Sequence, residues 1–170
     1  MRLIANKPMI KWTFEAVSKT SADIVQVATD SKKIYDLFSS DNAVMTSSSH
    51  LSGTDRVYEA VSKIGLSDHD VIINVQGDEP FISPEDINNL FDLVSKEEIE
   101  MATLYSDLKS LEELEDSNKV KILVKDGIAS NFFRETSFEN NIFIHQGIYA
   151  FKYKTLKRFV SWNPSQKEKK

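Results

Sequence analysis

The segment Val71-Ile72-Ile73-Asn74-Val75-Gln76-Gly77-Asp78-Glu79-Pro80 constrains the fold of this chain more than any other. A mostly apolar run, Val71 to Val75, passes straight into a polar turn that carries two carboxylates. The run reads as a strand buried on both faces, as strands are in a parallel sheet covered by helices. Gly77 and Pro80 end it. Ligands of open α/β sheets sit in the crevice beyond the carboxyl ends of the strands. Asp78 and Glu79 therefore stand where a metal or a phosphate-bearing substrate is handled. Asp78, first after the strand end, is the better Mg2+ ligand, because that ion combines few carboxylates with phosphate oxygens and water. The same residue types also cap ordinary strand-to-helix loops.

Around this segment, helical and strand patterns alternate. Pro8 to Lys19 places Met9, Ile10, Phe14 and Val17 near helical spacing, with Pro8 suited to a first turn. Ala22 to Thr29 reads as a strand, and Asp30 or Ser31 as the cap of a helix over Lys32 to Ser39. Ala43 to Thr46 is a short strand. Ser52 to Ile64 is a helix with Val57, Ala60, Val61 and Ile64 on one face. Pro84 to Ser95 is a helix capped by Ser83. Met101 to Tyr105 reads as a strand and Leu111 to Glu115 as a short acidic helix. Val120 to Lys125 and Ile128 to Phe133 flank Asp126-Gly127, the strongest hairpin signal in the chain. Phe143 to Phe151 is a strand, Lys154 to Trp162 a helix, and Asn163 to Lys170 a polar tail expected to fray. The fold class is α/β, a mixed, mainly parallel sheet with flanking helices.

At 170 residues the chain suits one domain with a sizeable core. A net charge of −5 argues against non-specific nucleic-acid binding, though not against a single nucleotide. The absence of cysteine excludes disulfides, thiolate metal sites and cysteine catalysis, and fits a cytoplasmic protein. No apolar run reaches membrane-spanning length, and the first residues lack the apolar core of a secretory signal. No nucleophile elbow, Walker loop or Gly-x-Gly-x-x-Gly is present.

Two further clusters can carry chemistry. In His50-Leu51-Ser52-Gly53-Thr54-Asp55-Arg56, Ser52 and Gly53 open a helix whose free N–H groups can hold a phosphate or read the polar edge of a base. Gly53 allows close approach of a ligand. Arg56, one turn in, can fork onto a phosphate or carboxylate. Plain capping, with Arg56 a solvated surface residue, explains the same pattern. In His145-Gln146-Gly147-Ile148-Tyr149, strand alternation puts His145, Gly147 and Tyr149 on one face, with a gap at Gly147 that suits a small polar ligand. A core histidine beside a glycine bulge is the alternative. His50 and His69 sit in polar surroundings and read as surface residues.

Taken in order, these motifs resemble the 3-deoxy-manno-octulosonate (Kdo) cytidylyltransferases. The matching pieces begin with Lys7-Pro8-Met9-Ile10, Val27-Ala28-Thr29-Asp30, Met45-Thr46 and His50 through Arg56. They continue with Asn74 through Pro80, Met101-Ala102-Thr103, Val120-Lys121 and His145 through Tyr149. The pairing of HxSGTDR with NVQGDEP is highly specific. The resemblance implies a nucleotidyltransferase that joins CTP and Kdo into CMP-Kdo and pyrophosphate with Mg2+, for lipopolysaccharide synthesis. It implies that Asp78 binds the metal, that Ser52-Gly53 approaches the cytosine and that Arg56 lies near the nucleotide. It further implies that Gln76, His145 and Tyr149 line the sugar pocket. A homodimer is expected.

The departures from the family pattern concern both ends. The family opens with a strand and a phosphate loop and closes with a GVDTPEDL-like segment bearing a second metal carboxylate. Neither is seen here. The chain reads as opening almost directly in a helix, with no strand before it, and the Ile-Pro that usually follows Phe-Ser-Arg is missing after Phe132-Phe133-Arg134. The expectation is a single cytidylyltransferase-like domain over 1–170, shortened at both ends. Two alternatives stand beside it: a non-catalytic fragment of such an enzyme, and a relative that activates an 8-amino Kdo.

Overall fold

The computed structural model describes residues 2–134 and 140–162; the polar tail over 163–170 lies outside them. The chain opens with a small antiparallel hairpin, β1 (Leu3–Ile4) and β2 (Lys7–Pro8), rather than directly in a helix. Its two turn residues, Ala5 at φ 48° and Asn6 at φ 62°, are both left-handed. Asn tolerates that conformation and Ala signals nothing of the kind, so the sequence hides this turn. Pro8 then serves as the N-cap of α1 (Met9–Val17).

A parallel pair follows, β3 (Val27–Thr29) and β4 (Ala43–Met45), joined through α2 (Lys32–Tyr35). The strand expected over Ala22 to Thr29 is confined to the three residues that find partners in β4. The helix expected to Ser39 stops at Tyr35, where Leu37 N–H to Ile34 and Phe38 N–H to Tyr35 tighten the chain into three-residue turns. Next come α3 (Gly53–Val61), β5 (Val71–Asn74), α4 (Pro84–Val94), β6 (Met101–Ser106) and α5 (Leu111–Glu115). The chain continues with β7 (Lys121–Lys125), β8 (Ile128–Phe133), β9 (Ile142–Lys152) and α6 (Tyr153–Val160). The mixed α/β class is as expected. The parallel share is smaller than expected: β5–β9, β7–β8 and β7–β9 are all antiparallel.

The chain forms two units, one made of the described residues up to Ala102 and from Tyr149 onward, the other of Thr103–Ile148. In the first, β5 pairs with the end of β9, from Val71↔Lys152 to Asn74↔Tyr149. β5 is not buried on both faces: Ile72 and Asn74 are buried, Val71 and Ile73 only half so. Ile72, Phe151 and Leu156 form its core cluster, packed by Val57, Val61, Leu66 and Tyr153. Each of those three side chains contributes about 1.5–3 kcal/mol by leaving water. α4 buries Ile87, Leu90 and Val94, with Ser83 capping the Glu85 amide as expected.

In the second unit the Asp126-Gly127 hairpin forms with both residues left-handed, at φ 50° and 76°. A bulge between Leu123 and Val124 shifts the β7–β8 register, and Ser130 Oγ donates to the Leu123 carbonyl there. Ile122, Val124, Ile142, Ile144 and Ile148 make the core. Lys121, fully buried, donates to the carbonyls of Asp116 and Arg134 at 2.6 and 2.7 Å.

Candidate functional site

The start of α3 is built by Ser52. Its hydroxyl accepts from the Asp55 amide at 3.1 Å and donates to Asp55 Oδ2 at 2.6 Å, a reciprocal cap of the Ser-x-x-acid kind. The amides of Gly53 and Thr54, ahead of that cap, have no hydrogen-bond partner among the described residues. A Cβ built on Gly53 meets nothing within 4 Å, so the outer face of the turn is open. The geometry keeps both sequence readings of this turn, capping and ligand approach, because Ser52 does the first and leaves the earlier amides for the second.

Arg56 is not a solvated surface residue. One nitrogen, Nη1, donates to Thr46 Oγ1 at 2.7 Å and to the Ser47 carbonyl at 3.3 Å, while Nη2 reaches Asp30 Oδ2 at 3.1 Å. The guanidinium thereby ties the ends of β3 and β4 to α3. Asp30, expected as a cap of α2, is spent on this ion pair, and Ser31 occupies the N-cap position without a side-chain bond. One turn further along α3, Glu59 accepts from the Ser47 amide at 2.8 Å, from His50 Nε2 at 2.5 Å and from Lys63 Nζ at 2.8 Å. The hydrogen bond from Lys63, then those from Ser47 and His50, hold the Glu59 carboxyl down at about 2. His50, read from sequence as a surface residue, is half-buried and held by Glu59. Asp30 and Glu59 were missed as partners, because the residues they meet, Arg56 and His50, are brought to them only by tertiary structure.

The turn after β5 is shaped by α1. Thr13 Oγ1 donates to the Gly77 carbonyl at 3.1 Å, and a Cβ on Gly77 would lie 2.6 Å from Ile10 Cδ1. A side chain at Gly77 would have to displace the end of the Ile10 side chain. The Glu79 amide donates back to the Gln76 carbonyl at 3.2 Å, which turns Gln76 and Asp78 outward; both are exposed. Burial, and after it the charge of Asp78, pushes the Glu79 carboxyl above its ordinary range. No group of three or more His, Asp or Glu able to hold a metal is present among the described residues. One exposed carboxylate, Asp78, with no such group around it fits a Mg2+ shared with phosphate oxygens and water, and does not fit an all-protein cage. Tyr149, in the same unit, is the β9 partner of Asn74, two residues before Gln76. Its ring stacks on Phe151 at 6.1 Å, and burial raises its hydroxyl pKa.

His145 lies in the second unit. Thr103 Oγ1 is 2.6 Å from the Ile148 carbonyl and 2.9 Å from His145 Nε2. With the hydroxyl proton directed at the shorter, carbonyl contact, Thr103 Oγ1 is placed to accept from His145 Nε2. The ring also meets the edge of Phe132 at 5.0 Å. Burial lowers its pKa. Gln146, next along β9, donates to Ser106 Oγ at 3.0 Å. Thr103 was part of a motif in the sequence but carried no assigned role there.

Comparison with known proteins adds to this geometry. The sequence matches the profile of the family described as cytidylyltransferase over residues 1–170. It is 35% identical to 3-deoxy-manno-octulosonate cytidylyltransferase of Photobacterium profundum, over 98% of this chain and 73% of that protein. It is 37% identical to the protein of the same name from Francisella tularensis subsp. novicida, with the same coverage. Among solved structures, CMP:2-keto-3-deoxy-manno-octonic acid synthetase complexed with CTP superposes with a TM-score of 0.86 at 30% identity, over 99% of this chain and 73% of that one. The 4-diphosphocytidyl-2C-methyl-D-erythritol synthase of Anaerococcus prevotii DSM 20548 superposes with a TM-score of 0.61 at 16% identity, a likeness of fold alone, over 96% of this chain and 69% of that one.

Proposed function

The chain belongs to the cytidylyltransferase family, and on that premise we propose that it joins CTP to Kdo, releasing pyrophosphate and forming the CMP-sugar used in lipopolysaccharide synthesis. The observation that carries this reading is identity of 35% and 37% to proteins of that name across 98% of the chain. The HxSGTDR and NVQGDEP segments, at the start of α3 and the end of β5, support it. Both units are taken as parts of one cytidylyltransferase-like domain.

In the proposed reaction the anomeric hydroxyl of Kdo attacks the α-phosphorus of CTP. A new P–O bond forms, the hydroxyl proton leaves, and the bond to pyrophosphate breaks. Catalysis of this kind is mostly positioning and charge neutralisation. The Ser52-Gly53 turn meets the cytosine with its uncapped amides. Arg56 acts near the nucleotide through the loop that it holds. Asp78 is the protein ligand of a Mg2+ that would offset phosphate charge. Gln76 and Tyr149 contact the sugar acid. His145 is proposed separately as a polar contact of the sugar. A cytoplasmic homodimer is the proposed working form.

The test is pyrophosphate release by this chain with CTP, Kdo and MgCl2. Release that requires all three supports the reading. No release, together with no binding of CTP by calorimetry, would refute it. Release with 8-amino Kdo in strong preference to Kdo would overturn the substrate.

A further inference from the structure

Beyond the buried Thr46, most of the segment to Gly53 lies exposed. Leu51 is 92% exposed, and Ser47 to Ser49, Ser52 and Gly53 are exposed as well. Polar anchors on α3 hold it. Arg56 grips its beginning at Thr46 and Ser47. Glu59 grips it twice, with Oε2 accepting from the Ser47 amide and from His50 Nε2, so one carboxylate oxygen pins both ends of a four-residue stretch. Within that stretch Ser47 Oγ and Ser49 Oγ are 2.7 Å apart, and the Ser49 amide donates to Ser47 Oγ at 3.1 Å, which closes it further. His50 precedes the helix cap Ser52 by two positions. The path of the chain into the Ser52 cap therefore depends on the His50–Glu59 contact.

We propose that Glu59, acting through His50, is a positioning residue for cytosine recognition. This rests on the reading of the Ser52-Gly53 turn as the contact of the base. Glu59 itself touches no substrate. The amides of Gly53 and Thr54 lie in the first turn of α3 and follow its axis; Glu59 fixes how the chain from Ser47 to His50 lies beside them, and so bears on the choice between cytosine and a pyrimidine that presents different donors and acceptors. Discrimination of that sort fails when donors and acceptors are misplaced, since buried polar groups are left unpaired.

The experiment is calorimetric titration of the full chain with CTP and with UTP, for wild type, Glu59→Ala, Glu59→Gln, His50→Gln and Lys63→Ala. Loss of the charge-assisted anchor in Glu59→Ala is expected to weaken CTP by about tenfold and UTP by less, so the ratio of the two constants moves toward unity. Glu59→Gln keeps an acceptor for the Ser47 amide and recovers part of the selectivity. Lys63→Ala leaves both loop anchors in place and binds as wild type does. A role in stability alone would lower the melting temperature without moving the ratio. Circular dichroism reports folding; if Glu59→Ala does not fold, His50→Gln, which leaves Glu59 its Ser47 and Lys63 partners, carries the test. Folded Glu59→Ala or His50→Gln with wild-type affinity and selectivity overturns the proposal. Failure of the wild type to bind CTP is a different result: it removes the functional reading, and this inference falls with it.

Discussion

Arg56 separates two ways in which a cation can serve a nucleotide site. Its guanidinium holds Thr46 Oγ1 at 2.7 Å, the Ser47 carbonyl at 3.3 Å and Asp30 Oδ2 at 3.1 Å. The side chains of Arg56 and Asp30 are 20% and 39% exposed, so water screens the ion pair and its share is at most about 1 kcal/mol. The bond to Thr46, a buried residue, is the larger contribution, about 1.5–3 kcal/mol for a charged donor. The long Ser47 contact adds little. Arg56→Met should therefore cost roughly 2–3 kcal/mol in urea unfolding. Arg56→Lys keeps the charge but not the fork, and should cost roughly half as much. CTP titration gives the functional half of the test. If Arg56 works through the loop, the loss of CTP affinity follows the loss of stability, and lysine falls between arginine and methionine. If it touches a phosphate, lysine retains most of the affinity. A stability change within about 0.5 kcal/mol for Arg56→Met would refute the structural argument. Lysine equal to arginine in CTP binding would refute the positioning argument.

Asp78→Asn should abolish the Mg2+ enhancement of CTP binding while leaving the urea midpoint unchanged, because the side chain is exposed; the same enhancement as in wild type would show the metal to be elsewhere. His145→Ala should raise KM for Kdo much more than KM for CTP in steady-state kinetics, and a defect confined to CTP would remove the residue from the sugar contacts. The pKa of His145 is depressed below 6.5, so the unfolded chain binds the proton first; stability is whole above about 6.5 and falls as pH drops through the folded value. His145→Gln should flatten that slope in pH-resolved denaturation. Glu100 receives Lys154, Thr155 and Arg158, and those bonds hold its carboxyl at about 2, so its contribution is present above 4.5 and lost as pH falls toward about 2. Glu100→Gln should show a smaller loss of melting temperature over that interval.

Much of the fold was legible because most elements are written in local signals. Ser83-Pro84, Asp126-Gly127 and the Val71 run each placed an element within a residue or two of its observed bounds. The shortened β3 was not legible, because strand length there is set by how far β4 offers partners, not by the apolar run itself. The β1–β2 turn was hidden by Ala5, which takes a conformation its side chain does not advertise. Candidate site residues were visible as motifs, yet their partners were not. Nothing local says that Asp30 faces Arg56 or that Glu59 faces His50. Those pairings arise when β3, β4 and α3 come together, and only tertiary structure reports them.

The second unit interrupts the first in sequence, and this sets the order of events during synthesis. Residues up to Ala102 emerge from the ribosome with Ile72 prepared for burial, but Phe151 and Leu156, which cover it, follow only after all of Thr103–Ile148 has been made. At about 5–20 residues per second that delay is a few seconds. Over that interval β5 has an open edge where Tyr149 to Lys152 will later pair. The core cluster of the first unit is therefore complete only once the end of β9 and α6 have been made.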